Sequence, residues 1–154
     1  MVPMAGELGH VRNYLEIEKA RFEDKLEVSY DLPEQMDIRI PTLILQPLVE
    51  NAVRYGISPD GRRRVHISVQ ETEEAYQVSI RDQGRGFPQE VLDKLKKNEP
   101  FGGSIGLRNV NQRMKKAYGE SFGLDIVSSP EGSCVTLRFL KEKEEEKERE
   151  NSGN

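Results

Sequence analysis

Cysteine occurs once in the 154 residues, as Cys134. Neither an intramolecular disulfide nor a cysteine-rich metal site is therefore possible, and the expected role of the thiol is packing. No apolar run approaches the roughly 18 residues that a membrane span requires. The opening MVPMAGELGH has no basic stretch followed by an apolar one, so no secretory signal is read there, and a reducing, cytoplasmic setting is expected. A strong excess of one charge is missing as well. The net charge is −4, and KEKEEEKERE at 141–150, with four basic and six acidic groups, supplies −2 of it. The remainder is close to neutral, which argues against nucleic acid or a membrane surface as a partner. The one dense basic cluster, Arg62, Arg63 and Arg64, follows SPDG and reads as a solvated loop entering a strand. What is present is 35% hydrophobic and 32% charged, over a length that suits about one domain with a real core.

The periodicities divide this length into helices and strands. GHVRNYLEIEKARFED spaces Val11, Leu15, Ile17 or Glu18, and Phe22 three and four apart, which predicts an amphipathic helix. KLEVSYDL alternates, with Leu26, Val28, Tyr30 and Leu32 on one face of a strand. PEQMD makes a turn, IRI a short strand, and Pro41 suits the first turn of a helix that runs to Tyr55 and stops at Gly56. Pro47 lies inside that helix, where it either kinks it or marks where its regular part starts. Beyond SPDGRRR, Val65-Ile67-Val69 and Tyr76-Val78-Ile80 predict a hairpin. Pro88 opens a short helix with Val91, Leu92 and Leu95 on its apolar side, and EPFGGS breaks it. IGLRNVNQRMKKAYG predicts another helix, with Ile105, Val110 and Met114 in the core and Gly119 at its end. Two strands around a Pro-Glu-Gly-Ser turn close the unit, and the charged tail from 141 reads as frayed or disordered. The prediction is a two-layer α/β sandwich with a mixed, mostly antiparallel sheet covered by helices.

Three stretches ask for more than packing. IRDQGRGFP leaves a strand through Asp82 and spaces Gly84 and Gly86 by two before Phe87; alone this is an ordinary strand-ending turn, though glycines so spaced also permit close backbone approach to a ligand. FGGSIGLRN is a glycine-rich loop feeding a helix, whose unsatisfied amides and dipole attract phosphate. LVENAVRYG sets Glu50, Asn51 and Arg54 within an otherwise apolar helix, with Asn51 and Arg54 three apart on one face.

Taken in order, these stretches resemble the N, G1 and G2 boxes of the superfamily that comprises gyrase, MutL, heat-shock chaperones and histidine kinases. From Tyr14 to Phe139 the chain is similar to the ATP-binding catalytic domain of LytS-like sensor histidine kinases, through YLEIEKARF, LQPLVENAVRYG, DQGRGF and GLRNVNQRM. The resemblance implies a Bergerat-type fold over 25–140, with 1–24 as the end of a helix from a dimerisation and phosphoacceptor segment and 141–154 as a tail. It implies that Asn51 ligates Mg²⁺ through its side-chain oxygen, that Arg54 neutralises phosphate charge, and that Tyr55 lies against adenine. Asp82 is implied to accept from the adenine amine, a contact guanine's carbonyl does not make. Gly84 and Gly86, with Phe87 beside them, are implied to shape the base site. Gly102, Gly103, Ser104, Ile105, Gly106 and Leu107 are implied to wrap the triphosphate, with about 99–104 as a short lid.

Two departures bear on the chemistry. Ser104 stands where the family commonly has the first glycine of G-x-G-L, and Pro47 stands where ATP-hydrolysing relatives and anti-sigma serine kinases place a glutamate base. Glu50 is the nearby carboxylate left as catalytic candidate; one residue's offset from Asn51 turns it about 100° around a helix, so it is read as a metal-water or polarising residue ahead of a base. His10 and His66 lack a phosphoacceptor context. The function implied is transfer of the γ-phosphoryl group of ATP to a histidine on an upstream segment, with a response regulator downstream and a membrane-anchored parent. An anti-sigma serine kinase and a non-enzymatic interaction domain are the alternatives.

Overall fold

The computed structural model describes residues 1–97, 99 and 105–141. Strand β1 (Val2–Pro3) pairs antiparallel with β3 (Arg39–Ile40), and between them lie α1 (Met4–Phe22) and β2 (Leu26–Asp31). Then follow α2 (Leu45–Tyr55), β4 (Arg63–Glu71), β5 (Ala75–Asp82), α3 (Gln89–Lys96), α4 (Ile105–Tyr118), β6 (Asp125–Ser129) and β7 (Gly132–Leu140). The main sheet has the order β2-β4-β5-β7-β6. Only β2 and β4 run parallel, because α2 provides the crossover that a parallel pair needs; the remaining neighbours are antiparallel.

Register explains why the sheet has one dry face. Ile67, Ile80 and Val135 stand in line across three strands, as do Val69, Val78 and Leu137, and all six are buried. On the opposite face Ser68, Ser79 and Thr136 form the alternate row. Helices α1, α2 and α4 cover the dry face with Met4, Leu8, Val11 and Leu15, with Leu45, Leu48, Val49, Ala52 and Val53, and with Leu107, Val110 and Met114. The result is the expected two layers, helices on one side and an open polar sheet surface on the other.

Two local expectations are corrected, and the packing expected of Cys134 is located. Helix α1 starts at Met4 rather than near Gly9, since Met4 and Leu8 extend the stripe of Val11 and Leu15 by further turns; Ile17 is 68% exposed and lies off that stripe. Helix α2 starts at Leu45 rather than Pro41, and Pro47 falls in its first turn, where an amide has no intrahelical partner to lose. Cys134 packs on the outer face, half-buried, with Sγ 3.8 Å from Thr136 Oγ1, because alternation assigns the inner face to Ser133 and Val135.

The late start of α2 has a visible cause. Leu43 adopts φ +55°, a left-handed conformation that costs a leucine about 1–2 kcal/mol. Its amide donates to Oε1 of buried Glu7 at 2.8 Å, and Thr42 Oγ1 donates to the same oxygen at 3.4 Å. From the other side Arg113 of α4 donates through Nη1 to the Leu43 carbonyl at 3.1 Å and through Nη2 to that of Thr42 at 2.5 Å. At about 1 kcal/mol net for each of these bonds, and more where the donor is charged, the contacts outweigh the backbone cost.

Candidate functional site

Asp82 ends β5 on the same face as Val78 and Ile80, so a carboxyl stands where alternation calls for an apolar side chain. It is 9% exposed. Its Oδ1 accepts the Gly84 amide at 2.9 Å, and its Oδ2 accepts the Ser133 hydroxyl at 2.6 Å. Each carboxyl oxygen has a second lone pair, so acceptor capacity is left for a ligand. Ser133 is a site residue that the sequence reading missed. The available signal was the alternation Phe139, Leu137, Val135, which continued backwards puts a hydroxyl on the dry face, in register with Asp82.

The glycines around Asp82 make room, and protein backbone takes that room. A Cβ on Gly84 would stand 2.8 Å from Gly56 Cα and 2.9 Å from the Tyr55 carbonyl oxygen, and one on Gly56 would stand 2.7 Å from Asp82 Cβ. These two positions let the end of α2 sit against the end of β5. Gly86, at φ +81°, does the same for β6, where a Cβ would overlap the carbonyl oxygen of Ser129. The Phe87 amide donates to Ser128 Oγ at 2.6 Å, and its half-buried ring packs on the core. The β6–β7 hairpin thus holds the turn that carries Asp82.

Buried Leu45, Leu48, Val49, Ala52 and Val53 define the inner face of α2. At about 100° per residue, Pro47, Asn51 and Tyr55 line one flank, Gln46 and Glu50 the other, and Arg54 the outward side. The first flank is met by α4, for a Cβ on Gly106 would lie 3.4 Å from Pro47 Cβ, and Leu107 is fully buried beside it. Asn51 is half-buried, Tyr55 is half-exposed, and the Arg54 guanidinium lies 6.0 Å from the Tyr55 ring centre. The second flank is met by α1. Gln46 Nε2 donates to Glu50 Oε1 at 3.0 Å, and the Tyr14 hydroxyl is pushed up to about 12 by burial first and then by Glu18 and Glu50, against Arg54 and Arg21. Glu50 and Asn51 therefore occupy opposite flanks.

Of the remaining sequence-derived positions, Gly102, Gly103 and Ser104 lie outside the described residues, as does the side chain of Ile105, most of the 99–104 stretch and the tail from 142. His66 shares a 2.6 Å hydrogen bond between its Nδ1 and Ser29 Oγ, and His10 is exposed on α1. The arginine triplet is engaged by protein. Arg62 and Arg64 pair with Glu27, Arg64 also pairs with Asp60, and Arg63 donates to the Val53 carbonyl at 2.7 Å while lying 4.1 Å from the Phe22 ring centre. Among the described residues no three His, Cys, Asp or Glu side chains converge on a metal position, and no helix is long and apolar enough to cross a membrane.

What the arrangement offers is a buried acceptor at the sheet's end, an amide on the adjoining helix flank, and the first turn of α4 closing the same side. Residues 36–144 match the family described as histidine kinase-, DNA gyrase B-, and HSP90-like ATPase. The sensor histidine kinase YpdA of Escherichia coli is 46% identical over 121 residues, covering 78% of this chain and 21% of that protein. The sensor protein LytS of Oceanobacillus iheyensis is 37% identical over 142 residues, covering 88% of this chain and 24% of that protein. The chain thus spans about a fifth to a quarter of the length of these two relatives. The catalytic domain of histidine kinase ThkA superposes with a TM-score of 0.71 at 13% identity, covering 91% of this chain and 95% of that one. ThkA in complex with the response regulator protein TrrA gives 0.70 at 15% identity, over 91% and 41%. With the expected mixed sheet and helical layer in place and more than half its length matched, the chain belongs to the histidine kinase-, DNA gyrase B- and HSP90-like ATPase family.

Proposed function

We propose that this chain binds Mg-ATP and donates the γ-phosphoryl group to a histidine on an upstream dimerisation segment of a sensor kinase. The observation that carries the reading is Asp82. It is a buried carboxyl, fixed by Gly84 and Ser133, at the point where α2 ends against β5. A group so placed accepts a donor such as the adenine amine and rejects a carbonyl in the same position.

Asn51 would hold Mg²⁺ through its hard side-chain oxygen. Magnesium contributes neutralisation of phosphate charge. Arg54, exposed at the outward side, adds a cation to the same end, and Tyr55 offers a ring to the base. In the transfer, the bond from the γ-phosphorus to the bridging oxygen breaks, ADP departs, and a histidine nitrogen gains the phosphorus. Such a reaction depends on positioning and charge neutralisation more than on covalent chemistry from the protein. Glu50 lies on the α1 flank, and its candidate part is polarising the incoming acceptor rather than ligating metal. Pro47 leaves the usual place of a hydrolytic base without a carboxylate, which favours transfer over hydrolysis.

The downstream partner in this reading is a response regulator, as TrrA is for ThkA in their solved complex. The domain would face the cytoplasm, with residues 1–24 leading from the upstream segment of a membrane-anchored parent. The test is incubation with γ-labelled ATP, followed by addition of a separate upstream helical segment from a full-length relative. Label on the added segment, acid-labile and base-stable, is expected. Stable label on this chain alone, or brisk phosphate release, would overturn the reading.

A further inference from the structure

Glu7 and Arg113 stand on different helices and grip the same two residues. Glu7, 4% exposed in the first turns of α1, takes the Leu43 amide and the Thr42 hydroxyl; Arg113, midway along α4, takes the carbonyl oxygens of Thr42 and Leu43. The gripped residue is held in a left-handed conformation that a leucine does not favour by itself, with its side chain 58% exposed. Backbone of this kind persists only where its surroundings over-determine it. Both determinants are helical, and neither is adjacent in sequence to the loop.

We propose that Glu7, Thr42–Leu43 and Arg113 form a strap through which α1 sets the position of α4, making Glu7 a positioning residue for the nucleotide side of the domain. Arg113 lies on the helix whose first turn packs on Pro47, on the α2 flank that carries Asn51, and the buried Asn111 next along α4 accepts the Leu124 amide at 2.9 Å through Oδ1 and so fixes the helix to the start of β6. A shift of α1 that carries Glu7 away leaves the Leu43 amide without its acceptor, lets the loop leave the left-handed region, and withdraws both carbonyl acceptors from Arg113. The same linkage runs in reverse, because coupling between two sites is reciprocal. The strap stands on contacts independent of any ligand; its effect on nucleotide rests on the ATP-binding reading.

Amide hydrogen exchange on the full chain without nucleotide tests the strap, comparing wild type with Glu7→Met, which removes the acceptor at similar length, and Glu7→Gln, which retains one. Glu7→Met is expected to speed exchange over residues 107–113 of α4 by about tenfold while Val78, Ile80 and Leu137 keep their rates, and Glu7→Gln is expected to restore most of the protection. Unchanged rates in α4, or an equal rise across helices and sheet, would overturn the proposal. Should Glu7→Met fail to fold, Arg113→Met cuts the other end, and faster exchange of the Leu43 amide and of residues 7–11 of α1 is then expected; wild-type rates there would overturn it equally. A nonhydrolysable ATP analogue is then added to the wild type and to Arg113→Met. Slowed exchange in the first turns of α1 is expected in the wild type and not in the variant. No analogue binding to the wild type would refute the ATP-binding reading and leave the ligand-free result standing.

Discussion

In the proposed reading a single buried carboxyl, that of Asp82, decides what the site recognises, and its neighbours make that reading testable. In Asp82→Asn the amide oxygen still accepts from Gly84, and the Ser133 hydroxyl rotates to accept from the new amide nitrogen, so both anchoring contacts survive. What changes is the sign presented to a ligand, a donor now meeting the adenine amine. ATP affinity should fall by about tenfold or more, equivalent to ~1.4 kcal/mol, with the unfolding midpoint close to wild type. Calorimetry beside thermal unfolding checks both halves, and an affinity within about twofold of wild type would remove Asp82 from the base site. Asp82 was singled out through the resemblance, since a carboxyl before two spaced glycines reads by itself as an ordinary strand-ending turn. Ser133 was not, since its contact crosses 51 positions; the alternation of β7 puts its hydroxyl on the dry face but names no partner for it.

Between helices and sheet, the elements were legible wherever one periodicity ruled, as in β4, β5 and α4, and shifted wherever tertiary contacts overrode it. The start of α2 was misplaced because the left-handed Leu43 depends on Glu7 and Arg113, which no window around residue 43 contains. The roles of Gly56 and Gly84 were likewise hidden, being set by α2 lying on β5. Helix packing also leaves a titration signature. Burial raises the hydroxyls of Tyr14, between α1 and α2, and Tyr118, at the end of α4 against Phe122 and Phe139, each to about 12. A pKa raised above that of the unfolded chain gives stability that is complete below about pH 10 and is lost as pH rises through about 12. Urea unfolding across that range should show falling stability with a gentler slope in Tyr14→Phe and in Tyr118→Phe, and an unaltered slope in both variants would contradict the helix packing described.

At the scale of the molecule, a two-layer domain places the end of β5, the flank of α2 that carries Asn51 and the first turn of α4 on one side. The layers followed from alternation and helical stripes; the nearness of β5 to α2 followed only from the order β2-β4-β5-β7-β6, which puts β5 at the centre of the sheet and its end beneath α2. The most direct measurement of the central claim is calorimetric titration of the chain with nonhydrolysable ATP and GTP analogues, with and without Mg²⁺. The account predicts one ATP analogue bound per chain, tightened by magnesium, and a GTP analogue at least about tenfold weaker. No binding of the ATP analogue, or equal affinity for the two purines, would contradict it.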